Sequence, residues 1–244
     1  MGDHPSSADT QLGGGYLNSV VLHAGKVQKR YTGLDAATRR RLEHHALLRL
    51  SRYLEVPKVA PGGDARTLLL EFTDGDNGQE LIRRGQSEFV LRLCGMALRR
   101  LQSLDGGVMG QVLPGKGPVV VHGDFGPQNV LISLSASAAT AILDWEFCHL
   151  GMPIEDLAWA EWIMRRHHRE DLASLPALFH SYGSMPHWSL RKRSMVNSLR
   201  RMRSFALAND SAANVDLWNE RLDEVLAWHQ EEFQQERRPH YSDR

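Results

Sequence analysis

The chain of 244 residues predicts an α+β fold in two apposed lobes, a small β-rich one followed by a larger, mostly helical one. Three observations carry that expectation. Short β-branched or aliphatic runs crowd the first third and recur at Val119-Val120-Val121, Val130-Leu131-Ile132-Ser133 and Ala141-Ile142-Leu143. Helical periodicity governs Leu34 to Leu54, Gln79 to Leu104 and most of the chain beyond Ile154. Between the two regimes lies Asp74-Gly75-Asp76-Asn77-Gly78, a loop that divides a first lobe, 13–76, from a second, 77–244, with 1–12 as a flexible tail.

Composition narrows the class. Hydrophobic residues make up 42% of the chain, and no apolar run approaches membrane-spanning length. Lysine plus arginine equals aspartate plus glutamate, 29 each, so charge argues for neither a nucleic acid nor a membrane partner. Cys94 and Cys148 suit reduced thiols better than a disulfide framework, and residues 1–10 lack the regions of a secretion signal, so the cytoplasm is the expected location. Met1-Gly2 with Ser6 satisfies a myristoylation pattern formally, but without a polybasic companion it reads as tail. No pattern points to a particular protein partner.

Taken in order, the first ordered feature is Gly13-Gly14-Gly15-Tyr16-Leu17-Asn18-Ser19, leading into Val20-Val21-Leu22-His23. Glycines let backbone amides approach phosphate oxygens with no Cβ in the way, although a glycine triplet alone is more often a linker. Ala24-Gly25 is a turn, and Lys26 to Tyr31 the returning strand. Alternation places Val27, Lys29 and Tyr31 on one face, which sends Lys29 into the cleft between the lobes, where its ammonium suits phosphates. A slip of one residue would substitute Lys26 or Arg30. Leu42, Ala46, Leu47, Leu50 and Leu54 form the stripe of the next helix, with Glu43 on its flank; Arg66 to Phe72 is a further strand. Leu91, Cys94, Leu98 and Leu101 form the stripe of a helical region from Gln79 that is in one or two pieces.

The chemistry concentrates in a hairpin. His122-Gly123-Asp124-Phe125-Gly126-Pro127-Gln128-Asn129 follows one strand, Ser135 to Ala139 makes the turn, and Asp144-Trp145-Glu146 follows another. Asp124, Asn129 and Asp144 therefore sit at the ends of neighbouring strands, where three polar side chains converge. Phosphoryl transfer uses such a trio: one carboxylate accepts the proton of the attacking hydroxyl, while the amide and the second carboxylate hold a metal on the phosphates. The adjacent pairs His44-His45 and His167-His168 do not suit a metal, because successive helical side chains diverge by about 100°.

This pattern, His-Gly-Asp-x-x-x-x-Asn and then Leu-Asp-Trp-Glu, resembles the aminoglycoside phosphotransferase family, small-molecule kinases with a protein-kinase-like fold. Protein kinases themselves carry Arg where Gly123 stands and Phe-Gly where Trp145-Glu146 stands, and the interval from Asp144 to Asp156 is too short for an activation segment. The resemblance implies transfer of the γ-phosphoryl of ATP or GTP to a small-molecule hydroxyl, with Mg²⁺ as cofactor and an aminoglycoside or related antibiotic as one candidate acceptor. It makes Asp124 the base, His122 a support of the loop, and Asn129 and Asp144 the metal ligands. Gly14, Gly15 and Asn18 belong to the nucleotide-covering loop; Lys29, held by Glu43, faces the phosphates. Glu71, Phe72 and Thr73 form the hinge whose backbone meets the purine. Asp156, in Gly151-Met152-Pro153-Ile154-Glu155-Asp156-Leu157-Ala158, braces the catalytic loop. The family's Leu-His helix end is Leu101-Gln102 here. Asp216, Glu220, Asp223 and Glu224 are either a solvated helix face or a site for a cationic acceptor. A nucleotide-binding pseudokinase acting through a protein partner is the alternative, against which the complete trio argues.

Overall fold

A computed structural model describes residues 10–13, 18–209 and 212–229. The chain begins with a four-stranded antiparallel sheet in the order β1-β2-β3-β4, formed by Thr10–Gly13, Asn18–His23, Lys26–Tyr31 and Thr67–Glu71. Residues 10–12, expected in the tail, are thus an edge strand. The β2–β3 turn has both Ala24 (φ 48°) and Gly25 (φ 76°) in the left-handed region, the geometry of a tight two-residue hairpin whose twist matches its strands. That turn pairs Leu22 with Val27 and Val20 with Lys29, and so sets the register that sends Lys29 inward.

Helix α1, Ala36–Leu50, crosses the sheet and buries Ala46, Leu47 and Leu50, as its stripe predicts. It is shorter than the periodic segment, although Leu54 still donates to the Leu50 carbonyl (2.9 Å) and packs into the core. The expected loop at 74–78 is more structured. Asp76–Asn77 forms a short strand, β5, and Asn77 caps helix α2, Gly78–Arg83, by accepting a hydrogen bond from Gln79 N at 3.0 Å. Helix α3, Ser87–Gln102, completes the helical region in two pieces and buries Leu91, Cys94, Leu98 and Leu101.

A 3₁₀ turn, Gly106–Val112, leads to β6, Val119–Val121. A second 3₁₀ turn, Pro127–Asn129, precedes β7, Val130–Ser133, which is antiparallel to β8, Ala138–Ile142, and carries β5 on its other edge. One expectation needs correcting: β6 does not lie beside β7. Its partner is β9, His149–Gly151, a strand too short to show alternation in the sequence. The chain after Asp144 therefore turns back and pins the strand that enters the loop 122–129.

Helix α4, Ile154–His167, is followed by a 3₁₀ turn (Arg169–Ser174), α5 (Leu175–Tyr182), α6 (Trp188–Ala208) and α7 (Ala212–Ala227). The last helix ends at Ala227. One apolar core joins the sheet, α1, α3, α5 and the hairpin, and includes both free cysteines. A second lies among α4, α6 and α7, built around Trp159, Trp162, Trp188, Trp218 and Trp228. Among the described residues no helix is long and apolar enough to cross a membrane.

Candidate active site

The loop after β6 is held by a single carboxylate. Asp156, fully buried in the first turn of α4, accepts hydrogen bonds from the backbone N–H of His122 (2.8 Å) and of Gly123 (2.9 Å). Gly123 has φ +87°, and a Cβ there would lie 2.4 Å from the Phe147 carbonyl oxygen, so only glycine suits a position that protein kinases fill with arginine. The buried His122 ring reaches Leu143 O through Nε2 (2.8 Å), while its Nδ1 accepts from Asp124 N (3.2 Å). Those two bonds assign the proton to Nε2, and the first ties the loop to Leu143, the residue between β8 and Asp144. Asn77 Nδ2 donates to Gln128 O (2.8 Å), fixing the far end of the same loop.

Asp124 emerges half-buried from this frame. Its Oδ1 accepts from the Trp159 indole N–H (2.7 Å) and its Oδ2 from Asn129 Nδ2 (3.1 Å), which also donates to the Asp124 carbonyl (2.8 Å). Burial, then the neighbouring charge of Asp144, pushes the Asp124 carboxyl up to about 6, against the hydrogen bond from Trp159. Protonated Asp124 is useless as a base. With Asp124 as the base that the sequence predicts, turnover is expected to rise with pH through a midpoint of about 6 or below, a cation on Asp144 moving the limb down. A kcat flat from pH 4 to 8 would contradict it.

Asp144 has φ +66°, a left-handed position that aspartate tolerates better than most residues. Its Oδ1 meets Lys29 Nζ at 2.5 Å. Lys29, buried on β3, also donates to Glu43 Oε2 on α1 (2.6 Å), an oxygen shared with the Tyr31 hydroxyl (2.6 Å). Burial opposes the ammonium charge, but Asp144 and then Glu43 outweigh it and hold Lys29 protonated; Lys29 in turn outweighs the burial of Asp144 and lowers its carboxyl. Lys26 and Arg30, the alternatives on the other face of β3, are exposed.

Carboxylate oxygens of Glu43, Asp144 and Glu146 lie within 4.8 Å of one another. Lys29 already binds two of them, and Arg39 binds Glu146. Burial and the charge of Asp144 push the Glu146 carboxyl up to about 8. For a metal beside the phosphates, Asn129 and Asp144 offer hard oxygen donors of the kind Mg²⁺ takes, since the amide nitrogen of Asn129 is spent on Asp124.

The remaining expected positions are less decisive. Gly14 and Gly15 lie outside the described residues. The Asn18 side chain bonds Glu146 (2.6 Å) and Arg39 (3.0 Å). At the hinge, Glu71 N donates to Lys58 O (2.8 Å), so that N–H belongs to local pairing; Phe72 is 51% exposed, which leaves its surface open to a ligand. On α7, Glu220 and Glu224 pair with Arg166 (3.6 and 3.1 Å), and Glu224 with Arg169 (2.5 Å), so half of the acidic stretch is already neutralised.

Four residues beside the expected ones went unassigned in the sequence: Tyr31, Arg39, Glu146 and Trp159. Trp159 stands three positions after Asp156, and Arg39 four before Glu43, so each shares a helix face with a residue that motif reasoning had placed.

Comparison with known proteins agrees with this geometry. The sequence pattern of the phosphotransferase enzyme family matches residues 107–196. Wild-type aminoglycoside 2'-phosphotransferase-IIIa in its GDP complex superposes with a TM-score of 0.70 at 14% identity, over 91% of this chain and 93% of that one. The macrolide 2'-phosphotransferase MphH of Brachybacterium faecium gives 0.64 at 15%, over 88% and 91%. A choline/ethanolamine kinase family protein of Mesorhizobium loti gives 0.62 at 16%, over 92% and 90%. No curated protein matches in sequence. The expected two-lobed, kinase-like α+β fold is the fold of this chain.

Proposed function

We propose that this chain, whose residues 107–196 match the pattern of the phosphotransferase enzyme family, moves the γ-phosphoryl group of ATP or GTP to a hydroxyl of a small molecule. The observation that carries the reading is the meeting of Asp124, Asn129 and Asp144 beside the buried Lys29–Glu43 pair. The division into lobes at 76/77 belongs to the same reading.

In the transfer, Asp124 takes the proton of the acceptor hydroxyl as its oxygen bonds the γ-phosphorus, and the bond to the bridging β-phosphate oxygen breaks. The Trp159 and Asn129 hydrogen bonds hold the carboxylate in one orientation, so that the hydroxyl meets a fixed acceptor. Lys29 offers positive charge to the phosphates and is kept straight by Glu43. Asn129 and Asp144 would hold Mg²⁺, which supplies charge neutralisation on the phosphates when bound. Gly14, Gly15 and the backbone of Glu71, Phe72 and Thr73 are the remaining nucleotide contacts of the proposal. Positioning and fixed charge supply most of the rate, because a loose transition state leaves little covalent work.

The acceptor is a hydroxylated small molecule, aminoglycosides, macrolides and amino alcohols being the classes suggested by the similar structures. The test is release of nucleoside diphosphate from ATP and from GTP with Mg²⁺, across those classes and simple sugars. Release stimulated by one class names the acceptor. Nucleotide binding without stimulation by any acceptor would favour the pseudokinase alternative.

A further inference from the structure

Resting on the phosphotransferase reading, we propose that Arg39 is a positioning residue that locks the start of β2, at Asn18, and helix α1 to the Asp144–Glu146 segment through a closed triangle with Asn18 and Glu146. Arg39 is 4% exposed, and its guanidinium spends itself on four partners. Nε donates to Asp35 Oδ1 (2.8 Å), Nη2 to the Thr32 carbonyl, and Nη1 to both Asn18 Oδ1 (3.0 Å) and Glu146 Oε2 (2.5 Å). Asn18 closes the triangle by donating to Glu146 Oε1 (2.6 Å). Two rings flank the cation, Tyr31 at 5.7 Å from β3 and Phe205 at 5.4 Å from α6.

The position of each corner gives the triangle its use. Asn18 is the first described residue after 14–17, the stretch expected to cover the triphosphate. Glu146 is separated from Asp144 by one residue. Arg39 lies one helical turn before Glu43 on α1, so one face of that helix reaches the Asp144–Glu146 segment twice: Glu43 through Lys29 to Asp144, and Arg39 directly to Glu146. A shift of α1, or of the strand bearing Asn18, against the hairpin breaks both connections together. Lysine offers one point charge in place of a planar fork and cannot reach Asn18, Glu146, Asp35 and Thr32 at once.

The experiment measures affinity for a fluorescent nucleotide analogue with Mg²⁺ and no acceptor, alongside thermal unfolding. Arg39→Lys and Asn18→Ala are each expected to weaken binding by about tenfold, the scale of one charge-assisted hydrogen bond, with unfolding midpoints within a few degrees of the parent. The double variant should bind no more weakly than Arg39→Lys, since both changes open the same triangle. If Asn18 instead touched nucleotide independently, the two losses would multiply, and the proposal would fall. It would fall equally if the single variants bound nucleotide like the parent, or if binding fell only in step with the unfolding midpoint. Should Arg39→Lys not fold, Asn18→Ala with Glu146→Gln decides by the same non-additivity. A parent protein that binds no nucleotide overturns the phosphotransferase reading itself; a parent that binds, with unaffected variants, overturns only the triangle.

Discussion

Asp124→Asn is expected to lower kcat by about a thousandfold, within the range that a positioned general base contributes, while nucleotide affinity changes by a few-fold at most. The substitution keeps size and removes only the capacity to take a proton. An amide oxygen at Oδ1 retains the Trp159 hydrogen bond. The amide nitrogen at Oδ2 then meets the Asn129 nitrogen that now donates there, so Asn129 has to turn, and the few-fold change in affinity comes from that turn. The measurement is steady-state turnover beside direct nucleotide binding. Retention of more than about a tenth of kcat would remove Asp124 from the role of base. Equal loss of turnover and of nucleotide affinity would instead make it part of the nucleotide site.

Asp156→Ala carries the second large effect, and it acts through the backbone. The fully buried carboxylate is the acceptor for two consecutive N–H groups, those of His122 and Gly123. Removing it strands both, at about 1–3 kcal/mol each, and an alanine side chain replaces neither bond. For a chain of this size each kcal/mol lowers the unfolding midpoint by about 2–4 °C, so a fall on the order of 10 °C is expected. Turnover should drop as well at temperatures where the variant is folded, because the same two residues carry Asp124 on the loop. Calorimetry with turnover checks both parts; a variant with parental stability and kcat would show that the loop holds its shape without α4.

Both effects were approachable from the sequence to different degrees. Asp124, Asn129 and Asp144 belong to one hairpin, and turn chemistry with strand period is enough to bring them near one another. Lys29 required only the alternation of β3, which a two-residue turn then enforces by fixing register. Asp156 was legible as a carboxylate in the first turn of a helix, but its two N–H partners were not, because they stand on a loop more than thirty residues earlier.

What the sequence determined by itself was local: the two-lobed α+β order, the helix stripes, the hairpin and its polar residues. These follow from steric period and turn preference, which act over a few neighbours. Tertiary structure decided the rest. β9 exists only because β6 offers it an edge, and Trp159 meets Asp124 only because α4 packs beneath the loop that Asp156 ties down. Glu220 and Glu224 look like a free acidic face until Arg166 arrives from α4 and Arg169 from the 3₁₀ turn after it. Arg39 looks like one of three surface arginines until burial between Tyr31 and Phe205 forces its guanidinium to find Asn18, Asp35 and Glu146. A buried charge must be paired, and its partners are whichever distant residues the packing brings within reach.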